Sequence, residues 1–210
     1  MTHLVNDCSK TIGDIDYFSF NGAFIECDGK RIISSIDQDT IRRIGCFCKK
    51  TGIFMQTYSG NAIVSDRICP ELEADPELKL SEHILISNYE EYSLGPSAKA
   101  LCADFSRDEN ELLEMMRNEF PDLSISLTNG GFIEVNHMGI NKVYALSTIC
   151  SHYGIQKEEV ITIGDSLNDL EMIEWSGCGI AVANSNEMLK KAADQVTTQS
   201  YTDGVIEAIE

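Results

Sequence analysis

Long hydrophobic runs, proline and basic residues are all scarce in this chain of 210 residues. No apolar stretch approaches the roughly 20 residues that are needed to span a bilayer. The first ten residues also lack the basic and apolar segments of a signal peptide. We therefore expect no membrane segment and a cytoplasmic protein. Lys and Arg number 16 against 34 Asp and Glu, giving a net charge of −18 that argues against nucleic acid and anionic membranes as partners.

Metal-binding cysteine patterns are missing too. The eight cysteines are scattered, and Cys46 and Cys48 form a single C-x-C on a predicted helix. A zinc site of this kind needs about four ligands, so a second pair would have to be present. We therefore predict reduced thiols and no zinc site.

The first two thirds of the chain have the pattern of an α+β fold with antiparallel hairpins. Strands are indicated by apolar alternation between turn residues, and helices by apolar residues at helical spacing. The predicted elements are a hairpin over 17–33 turning on Asp28-Gly29, a helix over 37–51 stopped by Gly52, a strand over 53–59, an acidic helix and loop over 70–83, a strand over 99–105, a helix over 108–119 capped by Asp108, and a hairpin over 124–136 turning on Asn129-Gly130-Gly131.

The last third alternates between helices and apolar strands. The predicted elements are a helix over 141–153, a strand over 158–165, a helix over 168–175, a strand over 177–184, a helix over 186–193, a short strand over 194–198 and a helix from Asp203. Such alternation predicts a parallel sheet with helices on both faces. The strand over 158–165 is apolar enough to be buried on both of its faces.

The sequence GDSLND follows that apolar strand, so its acidic residues should lie where ligands gather in open α/β sheets. Asp165 ends the strand, and Asn168 and Asp169 fall in the first turn of the next helix, beside free backbone amides. This arrangement suits Mg²⁺ bound by carboxylates together with a phosphate bound by amides. Alternatively, Asp169 only satisfies the dipole of the helix. Lys142 opens the preceding helix and can either reach the same crevice to hold phosphate oxygens or simply be solvated.

The run from Gly139 to Ile209 resembles the C-terminal core of the haloacid dehalogenase superfamily, and most of all its Cof-type branch, which carries a large α/β cap of subclass IIB. Asn21-Gly22-Ala23 resembles the hairpin that leads from core to cap in that family. The matching positions are Lys142, Gly164, Asp165, Asn168, Asp169, Asn184, Lys191, Ala193, Asp194, Asp203, Gly204 and Val205. Two positions depart from the pattern, Ser185 where alanine is usual and Val143 where glycine commonly follows the lysine.

The resemblance implies an α/β fold in which residues 1–34 and 137–210 form an incomplete Rossmann-like core and residues 35–136 form an α+β cap. It also implies Mg²⁺-dependent hydrolysis of small phosphorylated metabolites such as sugar phosphates. By the same resemblance, Lys142 contacts phosphate and the nucleophile, and Asn168 orients phosphate or Lys142. Asp165 holds the metal, and Asp169 holds or supports it.

The nucleophile that the resemblance implies, an aspartate in a D-x-D motif, has no good counterpart. Asp14-Ile15-Asp16 spells D-x-D, but no apolar strand precedes it and no Gly-Thr turn follows it. We therefore expect the nucleophile strand to be missing and turnover to be impaired or absent. Without that strand, residues 159–163 should expose an apolar edge that favours a homo-oligomer.

Two other functions compete with a phosphatase. A degenerate, non-catalytic protein that binds Mg²⁺ and phosphate, or acts through a protein partner, stays open. A receiver-like phospho-acceptor domain fits less well, because no acidic pair and acceptor aspartate precede Lys142 at strand ends. The sequence does not identify specificity residues in the cap. The basic residues of the helix over 37–51 fit a solvated face better than a phosphate site; they are Arg42, Arg43, Lys49 and Lys50.

Overall fold

The structure is a computed structural model that describes residues 15–60, 62–70, 82–128 and 130–210. Most of the predicted acidic segment over 70–83 lies outside the described residues, as do Asn129 and Asp14. The α-helices in the described part are α1 (Gln38–Thr51), α2 (Glu109–Glu119), α3 (Lys142–Tyr153), α4 (Leu170–Trp175), α5 (Glu187–Ala192) and α6 (Tyr201–Ile209). None of these helices has the length and apolar character that crossing a membrane requires.

The described strands form three sheets. The strands are β1 (Tyr17–Ser19), β2 (Phe24–Cys27), β3 (Lys30–Ile33), β4 (Phe54–Ser59), β5 (Ala62–Ser65), β6 (Glu82–Leu85), β7 (Ala100–Ala103), β8 (Leu123–Thr128), β9 (Phe132–His137), β10 (Ile161–Gly164), β11 (Cys178–Ala181) and β12 (Gln195–Val196). The sheet orders are β1-β2-β3, β6-β5-β4-β7-β9-β8 and β10-β11-β12. The predicted α/β architecture, with a parallel sheet in the last third and hairpins before it, is confirmed.

The six-stranded sheet is covered on one face by α1 and α2. The Asp37 side chain caps α1 by accepting from the Thr40 amide at 3.0 Å, and Gly52 ends the helix with φ of 80°. Alternation along β9 places Ile133 in the apolar core under these helices, and it is fully buried. The neighbouring residue Glu134 projects from the opposite face, which carries buried polar residues as well as an apolar cluster around Phe54 and Ala103.

The parallel sheet is small, and β10 lies at its edge among the described residues. The predicted strand over 158–165 is wrong in one respect, because β10 is not buried on both faces: Ile161 is 63% exposed. Its described hydrogen-bonded neighbour is β11, in parallel register. The expected apolar edge is therefore present at this side of the sheet.

Two helix starts differ from prediction. A 3-10 turn over Leu167–Asp169 precedes α4, so Asn168 and Asp169 lie before the α-helix rather than in its first turn. α6 begins at Tyr201 instead of Asp203, where the Asn184 side chain accepts from the Tyr201 amide at 2.6 Å. A side-chain contact from a distant loop thus fixes this helix start, which local sequence alone does not reveal.

The turn between β1 and β2 packs closely on the beginning of α3. Gly22 has φ of 97°, and a Cβ atom there would lie 2.4 Å from the Asn141 carbonyl oxygen. Asn141 is the N-cap of α3 and accepts from the Tyr144 amide at 2.8 Å. Glycine in this turn therefore lets the hairpin and the start of α3 approach each other beside the candidate site.

Candidate active site

The loop after β10 is folded around the carboxylate of Asp169. Asp169 Oδ2 accepts from the backbone amides of Asp165 and Ser166, each at 3.1 Å. A Cβ atom on Gly164 would lie 2.6 Å from Asp169 Cβ, so the glycine makes room for this aspartate. The G-D-x-x-N-D sequence thus specifies a compact loop, in which the last aspartate satisfies the amides of the first residues.

Lys142 reaches this loop from the first turn of α3. Its Nζ donates to Asp169 Oδ1 at 2.5 Å and to Asn168 Oδ1 at 3.2 Å. The Asp169 side chain is nearly buried, at 6% exposure, whereas Lys142 keeps 22%. Three of the residues predicted for the site are therefore in direct contact, with the lysine partly open to solvent.

Asp165 lies half-buried at the carboxyl end of β10. Its carbonyl oxygen accepts from the Asn186 amide at 3.1 Å, and Ser185 Oγ donates to the Gly164 carbonyl oxygen at 3.0 Å. The loops after β10 and β11 are therefore joined beneath the site. This is the edge at which parallel α/β sheets bind ligands.

The donor set near Asp165 fits a partly hydrated Mg²⁺. Mg²⁺ usually takes one or two carboxylates and completes its shell with water and substrate phosphate. Both oxygens of Asp169 are engaged by Lys142 and the loop amides, so direct coordination of a metal by Asp169 would require one of these contacts to be released. No cluster of three or more His, Cys, Asp or Glu side chains within the described ranges forms a closed metal cage, and such an open Mg²⁺ site does not need one.

Two charged residues of the six-stranded sheet adjoin the site and were missed by the sequence analysis. Glu134 Oε2 accepts from Asn168 Nδ2 at 3.2 Å, and Glu134 Oε1 pairs with the Lys99 ammonium. Both residues are buried, at 8% and 7% exposure. The polar-apolar alternation of FIEVN was the available signal for Glu134, since it indicates a sheet face with polar residues, but it does not indicate that this face is covered, and Lys99 lies outside that segment.

Glu134 and Lys99 each stabilise the ionised form of the other. Burial alone would raise the pKa of Glu134, but the attraction of Lys99 and hydrogen bonds from Lys99 and Asn168 outweigh it, so the pKa lies below its usual value. Burial would likewise lower the pKa of Lys99, but attraction to Glu134 raises it above its usual value. Both groups are therefore ionised near neutral pH.

Asn136 provides a second link between the six-stranded sheet and the hairpin turn. Its Nδ2 donates to the carbonyl oxygens of Phe20 at 2.9 Å and Ala98 at 3.2 Å. Asn21 lies alongside, with its Nδ2 3.4 Å from Ser126 Oγ. The polar face of the sheet is thus anchored to the turn that packs on the start of α3.

Asp16, the described half of the D-x-D sequence, lies far from Lys142. Its carboxylate accepts from the Asp28 amide at 2.9 Å and from Cys27 Sγ at 3.3 Å, and it interacts with the Tyr153 hydroxyl. Tyr153 ends α3 and Lys142 begins it, and a helix of 12 residues is about 18 Å long. This placement agrees with the argument against Asp16 as a nucleophile.

Three of the basic residues of α1 contact neighbouring segments. Arg42 Nε donates to the Tyr92 carbonyl oxygen at 2.7 Å, and Arg43 pairs with Asp122 at 2.6 Å. Lys49 Nζ donates to the carbonyl oxygen of Ser87 at 3.0 Å. Arg43, Lys49 and Lys50 are exposed, in line with the predicted solvated face, whereas Arg42 is half-buried.

Comparison with known proteins places this geometry in a family. A model of haloacid dehalogenase-like hydrolases matches residues 3–209. Over 100 residues the chain is 41% identical to the 5-amino-6-(5-phospho-D-ribitylamino)uracil phosphatase YcsE of Bacillus subtilis, covering 48% of this chain and 40% of the relative. Over 78 residues it is 46% identical to a phosphoglycolate phosphatase of Methanosarcina acetivorans, covering 37% and 34%. The chain thus spans less than half the length of these curated relatives.

Solved structures match over a larger share. A haloacid dehalogenase-like hydrolase from Bacteroides thetaiotaomicron superimposes with a TM-score of 0.77 and 27% identity, covering 99% of this chain and 80% of that one. A subclass IIB sugar phosphatase superimposes with a TM-score of 0.82 and 21% identity, covering 98% and 78%. The second likeness concerns the fold alone.

Proposed function

Because the chain belongs to the haloacid dehalogenase-like hydrolases, we propose that it is a Mg²⁺-dependent phosphatase for small phosphorylated metabolites, such as sugar phosphates. The observation that carries the proposal is the contact of Lys142 with both Asn168 and Asp169 at the loop that follows β10. Relatives named as phosphatases of a ribityl phosphate and of phosphoglycolate support a small phosphorylated substrate. The strong negative charge argues against nucleic acid as a partner.

Each residue has a distinct role in this proposal. The Lys142 ammonium holds phosphate oxygens, and the Asn168 amide orients the phosphate or the lysine. Asp169 orients Lys142 and accepts hydrogen bonds from the loop amides, while Asp165 is a ligand of Mg²⁺. Direct coordination by Asp169 stays a prediction, and it would require release of an oxygen from Lys142 or from the amides. When bound, Mg²⁺ would neutralise charge on the phosphate oxygens.

The proposed domains follow the sheets. We assign residues 1–34 and 137–210 to the core and residues 35–136 to the cap. The strands of the six-stranded sheet lie between Phe54 and His137, and Glu134 brings that sheet against Asn168. A cytoplasmic location stays a prediction.

A non-catalytic protein that binds Mg²⁺ and phosphate, or a protein partner, is the second candidate. The observation in its favour is that carboxylates near Lys142 are already engaged: Asp169 by Lys142 and the loop amides, and Glu134 by Lys99 and Asn168. Asp16 lies near the other end of α3. A nucleophilic aspartate is therefore not evident among the described residues, so the first candidate predicts slow turnover by this chain and the second predicts none.

Phosphate release from a panel of phosphate monoesters, with Mg²⁺ or with EDTA, tests the main candidate. We expect release that needs Mg²⁺ and falls by about tenfold or more in Asp165→Asn and Lys142→Met, because both remove charge stabilisation at the phosphate. Glu174→Gln, which removes an exposed carboxylate from α4, is the control and should match the parent chain.

Measuring phosphate binding by the same variants distinguishes the two candidates. Mg²⁺-dependent binding of inorganic phosphate without turnover would favour the non-catalytic protein. Failure of the folded chain both to bind phosphate and to release it would refute the phosphatase and the phosphate-binding form of the second candidate.

A further inference from the structure

The polar face of the six-stranded sheet buries groups that are costly to bury. Gln56, Glu134 and Asn136 are 2%, 8% and 1% exposed, and Lys99 is 7% exposed. Replacing a buried ion pair by apolar residues of similar volume is often neutral or stabilising. Stability is therefore a weak reason for an ion pair between Lys99 and Glu134 at this place, and a role in recognition explains it better.

The ion pair lies directly beside the proposed phosphate site. The side-chain amide of Asn168 bridges two charged residues: its Oδ1 accepts from Lys142, and its Nδ2 donates to Glu134. Glu134 in turn holds Lys99 through its other oxygen. A phosphate ester bound at Lys142 and Asn168 therefore brings its alcohol portion within reach of Glu134 and Lys99.

The chemistry of the Lys99 and Glu134 pair limits which alcohol portions of a phosphate ester can bind beside it. A carboxylate accepts hydrogen bonds and an ammonium donates them, so together they can bind neighbouring hydroxyl groups, which do both. The two charges cancel, and Lys99 already has a carboxylate partner. A carboxylate on the alcohol would be repelled by Glu134 without gaining an unpaired cation.

We propose that Lys99 and Glu134 determine specificity: the neutral pair favours phosphate esters of uncharged polyhydroxy alcohols over esters whose alcohol carries its own carboxylate. This inference rests on the proposed function. The relatives named above include a phosphatase of a ribityl phosphate and a phosphatase of phosphoglycolate. The inference is that two residues of the cap discriminate between these two kinds of substrate.

Calorimetric binding of ribitol 5-phosphate and of 2-phosphoglycolate, both with Mg²⁺, tests the pair without requiring turnover. We expect the parent chain to prefer ribitol 5-phosphate. Glu134→Gln frees the charge of Lys99, so the affinity ratio should shift toward 2-phosphoglycolate by about tenfold or more. Asp122→Asn is the matched control, because it removes an exposed carboxylate paired with Arg43, and it should leave the ratio unchanged.

A second variant keeps the inference testable if Glu134→Gln does not fold. Lys99→Met with Glu134→Leu removes the pair without leaving a buried charge, so we expect a folded protein that has lost the preference for ribitol 5-phosphate. An unchanged ratio in this double variant, or a parent chain that prefers 2-phosphoglycolate, would overturn the inference and leave the proposed function standing. If the parent chain binds neither ester nor inorganic phosphate, the proposed function fails and the inference falls with it.

Discussion

The six-stranded sheet and the sheet β10-β11-β12 differ in how completely they are covered. The first has a face sealed by α1 and α2, with Met55 and Ile133 fully buried. The second leaves Ile161 63% exposed and Val196 47% exposed. The loop over 164–169, which we propose binds Mg²⁺ and phosphate, follows β10 of the second sheet, whereas the residues proposed for specificity belong to the first. The proposed site for Mg²⁺ and phosphate therefore lies on the sheet with the more exposed edge strands.

An isoleucine in each sheet gives the largest expected contrast. Ile133→Ala should lower the free energy of unfolding by about 2–5 kcal/mol, because it opens a cavity in a packed core. Ile161→Ala should change it by about 0.5 kcal/mol or less, since that side chain is largely in solvent. Urea denaturation of both variants measures the difference, and equal losses would show that the two sheets are equally covered.

The close packing of the site loop gives the next effect. Gly164→Ala should lower the free energy of unfolding by about 1–3 kcal/mol, because its Cβ would meet that of Asp169 at 2.6 Å. In an Asp169→Gly background the same change should cost much less, since the obstructing side chain is gone. A double-mutant cycle measures this coupling, and simple additivity would contradict the close contact.

Part of this contrast was predictable from sequence, because local signals determine it. Asp37 and Gly52 mark the ends of α1, and the loop over 164–169 follows from an apolar strand ending in G-D-x-x-N-D. The segment around Ile161 on its own predicts burial, and its exposed edge was expected only because the neighbouring nucleophile strand has no counterpart in the sequence. The pair of Lys99 and Glu134 depends on the register of β7 against β9, which joins residues far apart in the chain.

Replacing the buried ion pair as a unit should have a small effect on stability. Lys99→Met with Glu134→Leu should change the free energy of unfolding at neutral pH by about 1 kcal/mol or less. Glu134→Leu alone should cost more, because it leaves the Lys99 charge buried without its partner. Thermal unfolding of the single and double variants measures this order, and a double variant as unstable as the single one would contradict it.

The pH dependence of the same variants gives an independent measurement. The lowered pKa of Glu134 means that its contribution is present above the usual value of 4.5 and is lost as pH falls through the folded-state pKa. The raised pKa of Lys99 means that its contribution is present below the usual value of 10.5 and is lost as pH rises through the folded-state pKa. The double variant should therefore lose less stability than the parent chain between pH 5 and about pH 3.

The exposed edge of β10 gives the smallest expected change in stability. Ile161→Lys should weaken self-association while changing the free energy of unfolding by about 0.5 kcal/mol or less, because a charge on an edge strand opposes pairing with another chain. Sedimentation equilibrium measures this effect. A parent chain that stays monomeric at high concentration would contradict the expected homo-oligomer.

The most direct test of the central claim is calorimetric binding of inorganic phosphate with and without Mg²⁺. The claim is that Lys142 and the loop over 164–169 form one site for Mg²⁺ and phosphate. We predict that Mg²⁺ tightens phosphate binding by about tenfold or more in the parent chain and in the exposed control Lys157→Met, and that Lys142→Met abolishes this gain. Phosphate affinity that is unaffected by Mg²⁺, or that is the same in Lys142→Met, would contradict the account.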